Sequence, residues 1–368
     1  MIHPDPIIRR IHACALAAVP PFLWGDPGTG KTARVFAYGR MRSLHVERWL
    51  LSRCEPIDLK PRIYHEGRMI VADPPEVERV RSQGGILFFD ELNLASRETE
   101  GAALNLQDNP PPGVFVMAAG NPPSRGQAAR HLGSPAANRF CHLQVEGDPK
   151  AWASAQVAGW TIEPLTTLAI EASDGLKRAQ QEVTTLVAAF IRHQPQKLQS
   201  KPETPAEAGG AWASPRTWEY CARLLAVAKA LDLPEEDALA LAAGCIGAGL
   251  GSEIAAFADA KDLPDPEALL ADPSAYAPPA RIDRIIATCA GVASCVERDL
   301  TDARWKAAWA LCTTIADAGA VDAAMVFCDM LFTDLYTKLP KATLDDKRIT
   351  APRTLMPKKI VPLLTGVK

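Results

Sequence analysis

Short apolar runs that end in polar residues punctuate the first part of the chain: VPPFLW at 19–24, ILFF at 86–89, VFVMAAG at 114–120 and FCHLQV at 140–145. Runs of this length, apolar at nearly every position, suit strands of a parallel sheet covered on both faces. RIYHEGRMIVA, residues 62–72, has two short apolar arms around Glu-Gly, the pattern of a hairpin. From about Asp148 the period becomes helical. TTLVAAFIR at 184–192 carries apolar residues at helical spacing, and LPEED at 233–237 opens a helix with acids in its first turn. Residues 201–210 are polar with Pro and Gly and predict a loop, and 271–279 predict a linker. Trp218, Tyr220 and Leu224 recur along one helix as core. Residues 281–339 predict two or three Ala-rich helices, with Trp305 and Trp309 on one face.

The ends of the apolar runs carry the chemistry. After the first stands GDPGTGKT, residues 25–32, which fits G-x-x-x-x-G-K-[ST] throughout. Bare glycines let a loop wrap a phosphate chain with its N–H groups pointing inward, and the following helix aims its positive end there. Asp26, Pro27, Gly28, Thr29, Gly30, Lys31, Thr32 and Ala33 are therefore the expected nucleotide-binding residues. Lys31 would reach the β and γ phosphates, and Thr32 offers a hydroxyl to Mg2+. The second run ends in Asp90 and Glu91. Asp90 would hold Mg2+, partly through water, and Glu91 would take a proton from the attacking water. The third ends in Asn121, suited to orienting that water. Arg139, in AANRF, and Arg216, in SPRTW behind Pro215, could stabilise charge on a transferring phosphoryl group. Arg125 and Arg130 compete with Arg139 for that work.

Composition narrows the partners. The 368 residues carry 40 Lys+Arg and 43 Asp+Glu, a net charge of −3 that gives no electrostatic reason to expect nucleic acid. Residues 341–368 are the local exception, with seven basic and two acidic residues, read as a solvated or docking tail. The nine cysteines form no CxxC and suit small buried hydrophobes in a reducing compartment, so a cytoplasmic location is expected. The start of the chain lacks a signal-peptide pattern, and the uncharged stretch at 238–252 is too short for a membrane span and suits a packed helix pair.

GDPGTGKT, GGILFFDELN, VFVMAAGNPP, ANRF and SPRTW, in this order, resemble a MoxR-type AAA+ ATPase of the helix-2-insert clade. LSRCEPIDL at 51–59 is similar to the family's segment after its second strand, and DLPDP at 262–266 to a late stretch of the helical part. The resemblance covers about residues 18–280. It implies an α/β fold: a P-loop αβα domain with a five-stranded parallel sheet over 1–147, a helical lid over 148–270 and a C-terminal helical extension with a basic tail over 271–368. It implies ATP and Mg2+, and a homo-oligomeric, six-membered ring in which Arg139 reaches a neighbour's γ-phosphate and Arg216 senses nucleotide. It places hairpin 62–72 near a central pore, where Tyr64, His65 and Arg68 could contact substrate. A partner with a von Willebrand A domain is implied by the resemblance alone. One departure stands out: NLQDNPPPG, 105–113, has a stiff polyproline piece where relatives carry a longer helix end and a second hairpin; either that hairpin is lost or residues are missing from this stretch, and a lost hairpin would leave nucleotide chemistry intact but put pore threading in doubt.

Three functions follow in order: an ATP-driven remodeller of a partner protein, an ATP-dependent assembly switch with slow turnover, and, last, a DNA-directed motor.

Overall fold

The computed structural model describes residues 5–123, 129–147, 149–158, 174–200, 202–258, 263–338 and 349–361. Arg125, Asp148, Asp262 and most of the basic tail lie outside them. The chain forms two compact units, Met1–Leu176 with Gln199–Ser252, and Lys177–Leu198 with Glu253–Lys368.

The first unit is built on five parallel strands. Helix α1 (Pro6–Leu16) leads into β1 (Pro21–Trp24), followed by α2 (Lys31–Met41) and β2 (His45–Leu50). The hairpin strands β3 (Arg62–His65) and β4 (Arg68–Val71) precede α3 (Pro75–Gln83), β5 (Gly85–Asp90) and α4 (Arg97–Asp108). Then come β6 (Val114–Gly120), β7 (Cys141–Gln144), α5 (Pro215–Ala230) and α6 (Glu235–Ile246). The sheet order is β2-β5-β6-β1-β7, every pair parallel. With the hairpin left out this is core order 2-3-4-1-5, the α/β P-loop arrangement of AAA+ domains, and a helical part follows it. Every residue of β5 is buried, as its unbroken apolar run requires of a strand with both faces covered.

Phe22, Trp24, Trp49, Leu87, Phe89 and Phe140 are members of one buried apolar cluster. Register aligns the strand ends: Leu50 stands beside Asp90, Phe89 beside Ala118, and Trp24 beside both Gly120 and Gln144. The polar residues that follow therefore emerge along one edge of the sheet, where open α/β sheets place their sites.

The hairpin forms as expected. Glu66 and Gly67 both have positive φ, 48° and 77°, as a tight two-residue turn requires. Tyr64 and Met69 stand exposed on it; the side chain of His65 lies outside the description. Between α4 and β6 the chain uses only residues 109–113, so no second hairpin stands there.

In the second unit, helices Ile282–Arg298, Asp302–Asp317 and Val321–Asp329 match the sequence expectation, and the last runs into a π-helical turn, Met330–Leu335. Trp305 and Trp309 are buried edge to face at 5.7 Å. Eight of the nine cysteines are buried, and Cys54 is partly so. No described helix is long and apolar enough to cross a membrane.

Candidate active site

The loop after β1 is shaped by backbone conformation. Gly28 and Gly30 both have φ of 84°, a left-handed conformation that side chains rarely adopt, and a Cβ on Gly28 would meet nothing within 4 Å. Gly30 caps α2 without any side-chain hydrogen bond, and the first turn of α2 carries no acidic residue. Its amides and its positive dipole end are thus left to an anion. Asp26, Pro27 and Ala33 are exposed along the same loop and turn. Thr29 Oγ1 donates to the Asp26 carbonyl at 2.9 Å. Arg34 braces the loop from the helix side, donating to the Thr29 carbonyl (2.8 Å) and to Asp5 (2.8 Å).

Lys31 is buried, and its Nζ donates to the Gly25 carbonyl at 2.6 Å, the Asp26 carbonyl at 3.0 Å and Asn121 Oδ1 at 2.9 Å. Burial pushes its ammonium below its ordinary pKa, and the carboxylates of Asp90, Asp26 and Glu91 push back. Thr32 Oγ1 donates to Asp90 Oδ2 at 3.0 Å. Lys31, Thr32, Asp90, Glu91 and Asn121, drawn from three separate stretches, therefore stand at one place on the sheet edge.

Glu91 sits in the left-handed region (φ 55°, ψ 36°), which turns the chain sharply out of β5. Its Oε2 accepts a short hydrogen bond of 2.5 Å from Ser52 Oγ, just beyond β2. Asn121 is held by Asn93, which is fully buried: Asn93 Nδ2 donates to the Asn121 carbonyl (2.7 Å) and the Arg130 carbonyl (3.0 Å), while its Oδ1 accepts from the Asn121 amide (3.3 Å). Gly120 is needed for this approach, because a Cβ there would lie 2.4 Å from Asn93 Oδ1. Sequence reasoning missed both Ser52 and Asn93, although Asn93 lies inside DELN and Ser52 inside LSRCEP.

The two arginines form a second group. Arg139 meets Asp108 in a fork, and Arg216, exposed near the start of α5, is close enough to act electrostatically on the same carboxylate. Among the described residues no hydrogen bond or ion pair links this group to the Lys31–Asp90 group. Arg130 is tied to Glu100 Oε2 (2.7 Å) and to the Ala95 carbonyl, which leaves it a structural brace.

A cavity of about 440 Å³ begins at Trp24, the residue before the loop, and is also lined by Arg10, Gln144, Ala211, Ala243 and Gly244. Its back wall is fixed by a defined tautomer. The Trp24 indole can only donate, so His142 Nδ1 accepts from it (2.7 Å), and Nε2–H donates to the Ala137 carbonyl (2.8 Å). Fully buried Asp237 binds both Arg9 (2.5 Å) and Arg10 (2.7 Å), holding α1 to α6 beside the cavity.

The donor set fits magnesium. Thr32 and Asp90 place two oxygen atoms together that could serve as ligands, and no described group of three His, Cys, Asp or Glu could cage a metal alone. Mg2+ suits such a site, since it takes one or two protein ligands and completes its shell with water and substrate phosphates.

No protein-family model and no curated protein matches the chain. A solved protein of Cytophaga hutchinsonii, described as a candidate ATPase, is similar at 18% identity over 64% of this chain and 79% of its own, with a TM-score of 0.41. The functional reading rests on the residues themselves.

Proposed function

We propose that this protein binds and hydrolyses ATP as a MoxR-type AAA+ ATPase, working as a ring on a partner protein. The observation that carries the reading is the convergence of Lys31, Thr32, Asp90, Glu91 and Asn121, tied by the Lys31–Asn121 and Thr32–Asp90 hydrogen bonds. The backbone N–H groups of residues 28 and 30–33 bind the phosphates, and Lys31 neutralises the β and γ groups. The cavity beside Trp24, lined by the small residues Ala211, Ala243 and Gly244 and by Arg10 and Gln144, takes a planar base. Thr32 and Asp90 hold magnesium, which when bound supplies charge neutralisation at the phosphates. Asn121 orients the attacking water, and Glu91, freed from Ser52, accepts its proton. Arg139 shares no hydrogen bond or ion pair with these groups among the described residues, which supports its use on a neighbour's nucleotide in a six-membered ring, while Arg216 senses nucleotide. The exposed hairpin tip, with Tyr64 and Arg68, is the reading's contact for a partner, including one with a von Willebrand A domain.

The test is oligomer mass by light scattering for Glu91→Gln, with and without Mg-ATP. A shift to about six subunits on ATP supports the ring. A monomer in both conditions removes it.

A second reading, an assembly switch with slow turnover, is favoured by one observation: Glu91 and Arg139 are both engaged by side chains of their own chain, Ser52 and Asp108. Turnover that stays low with every partner at every protein concentration would select it.

A further inference from the structure

Asp90 has a cationic companion that the ATPase reading does not use. Arg48 stands on β2, the edge strand of the sheet, in register with Phe88 and so two residues short of Asp90 on the neighbouring β5. Its Nε and Nη2 donate to Asp90 Oδ2 at 2.8 and 2.7 Å. The same oxygen accepts the Thr32 hydroxyl at 3.0 Å. Oδ1 accepts the Glu91 amide at 3.1 Å. Asp90 is only 6% exposed, and a carboxylate so enclosed must be paired. Lys31 does not contact it, because its Nζ is committed to two carbonyls and Asn121. Among the described residues Arg48 is the cation in contact with Asp90.

We infer that Arg48 is a built-in counter-ion of Asp90 that exchanges with magnesium, and so sets the metal concentration at which the site holds Mg-ATP. The inference rests on the ATP reading above. A hydrated divalent ion facing Thr32 and Asp90 needs the lone pairs of Oδ2 that Arg48 engages, and the two positive charges repel at that spacing. The guanidinium cannot yield by losing its proton, so it must move. Its position permits this: the side chain is 41% exposed and leaves from an edge strand. When it leaves, Asp90 stays anchored through Oδ1 and Thr32.

The test is binding of a fluorescent ATP analogue as magnesium is titrated, for the wild-type chain and Arg48→Gln. Removing the competing charge should lower the magnesium midpoint by about two- to fivefold, the range of a half-exposed ion pair. Arg48→Lys, which keeps the charge, should fall between the two and covers the case in which the glutamine variant does not fold. A purely structural role for Arg48 predicts the opposite, since a displaced Asp90 would raise the midpoint. A midpoint unchanged or raised overturns the inference and leaves the ATP reading standing. No binding by the wild-type chain at any magnesium concentration overturns both.

Discussion

Arg139 and Asp108 form a two-pronged ion pair, Nε to Oδ1 at 2.8 Å and Nη2 to Oδ2 at 2.9 Å, while Arg139 Nη1 donates to the Pro135 carbonyl at 2.7 Å. The hydrogen bond from Arg139 is the main cause that holds the Asp108 carboxyl below the ordinary carboxylate pKa. A lowered acid pKa means the pairing is complete above the ordinary value and is lost only as pH falls below it. Neutral pH therefore leaves the guanidinium held, and a competing anion must take it. Arg139→Ala is expected to cut ATP turnover by about a thousandfold with nucleotide affinity nearly unchanged. Asp108→Ala should raise turnover several-fold at concentrations that favour assembly. Steady-state rates against protein concentration check both.

Lys31→Met should weaken ATP binding by about ten- to a hundredfold, the value of losing charge-assisted hydrogen bonds. It should not destabilise the fold in proportion, because burial already opposes the charged ammonium. Nucleotide titration beside thermal melting separates the two effects.

Glu91 occupies a left-handed backbone position that favours glycine. Glu91→Gly should stabilise the first unit by about 1 kcal/mol while lowering turnover at least about a hundredfold. Ser52→Ala acts in the other sense: it releases Oε2 and should raise basal turnover, up to about tenfold if the hydrogen bond contributes at the low end for a charged group. Denaturant curves and phosphate-release rates read these outcomes.

His142 and His12 are both held neutral by burial, each with its pKa lowered to about 4. The unfolded chain takes up these protons near the ordinary value of 6.5. Stability is thus full above that pH and drains as pH falls from 6.5 towards 4, by up to about 3 kcal/mol for each histidine. His142→Leu should flatten the fall in melting temperature between pH 7 and 5, although it strands the Trp24 indole N–H.

The strands and the loop were legible because their requirements are local. A strand covered on both faces must be apolar throughout, and a phosphate cradle must be bare of side chains. Thus β5 with Asp90 and Glu91 at its end, and residues 25–32, could be read from spacing. The residues that restrain the site could not. Arg48 and Ser52 matter only because β2 pairs with β5 in one register, and Asp108 only because α4 ends beside residue 139. Asn93 was visible within DELN, but its role depends on the neighbouring β6. The cavity beside Trp24 draws on widely separated segments that no window along the chain contains.

The register of β5 has a consequence for how this chain tolerates change. Ile86, Leu87, Phe88 and Phe89 are each buried, yet any could be exchanged for another apolar residue of similar size at modest cost. Their number cannot change. Deleting a single codon between 86 and 89 would slide the strand by one residue and turn Asp90 to the opposite face of the sheet. A library of one-codon deletions should therefore lose nucleotide binding throughout this stretch, while conservative substitutions there survive. Strand length acts as a ruler, and the spelling within it is free to drift.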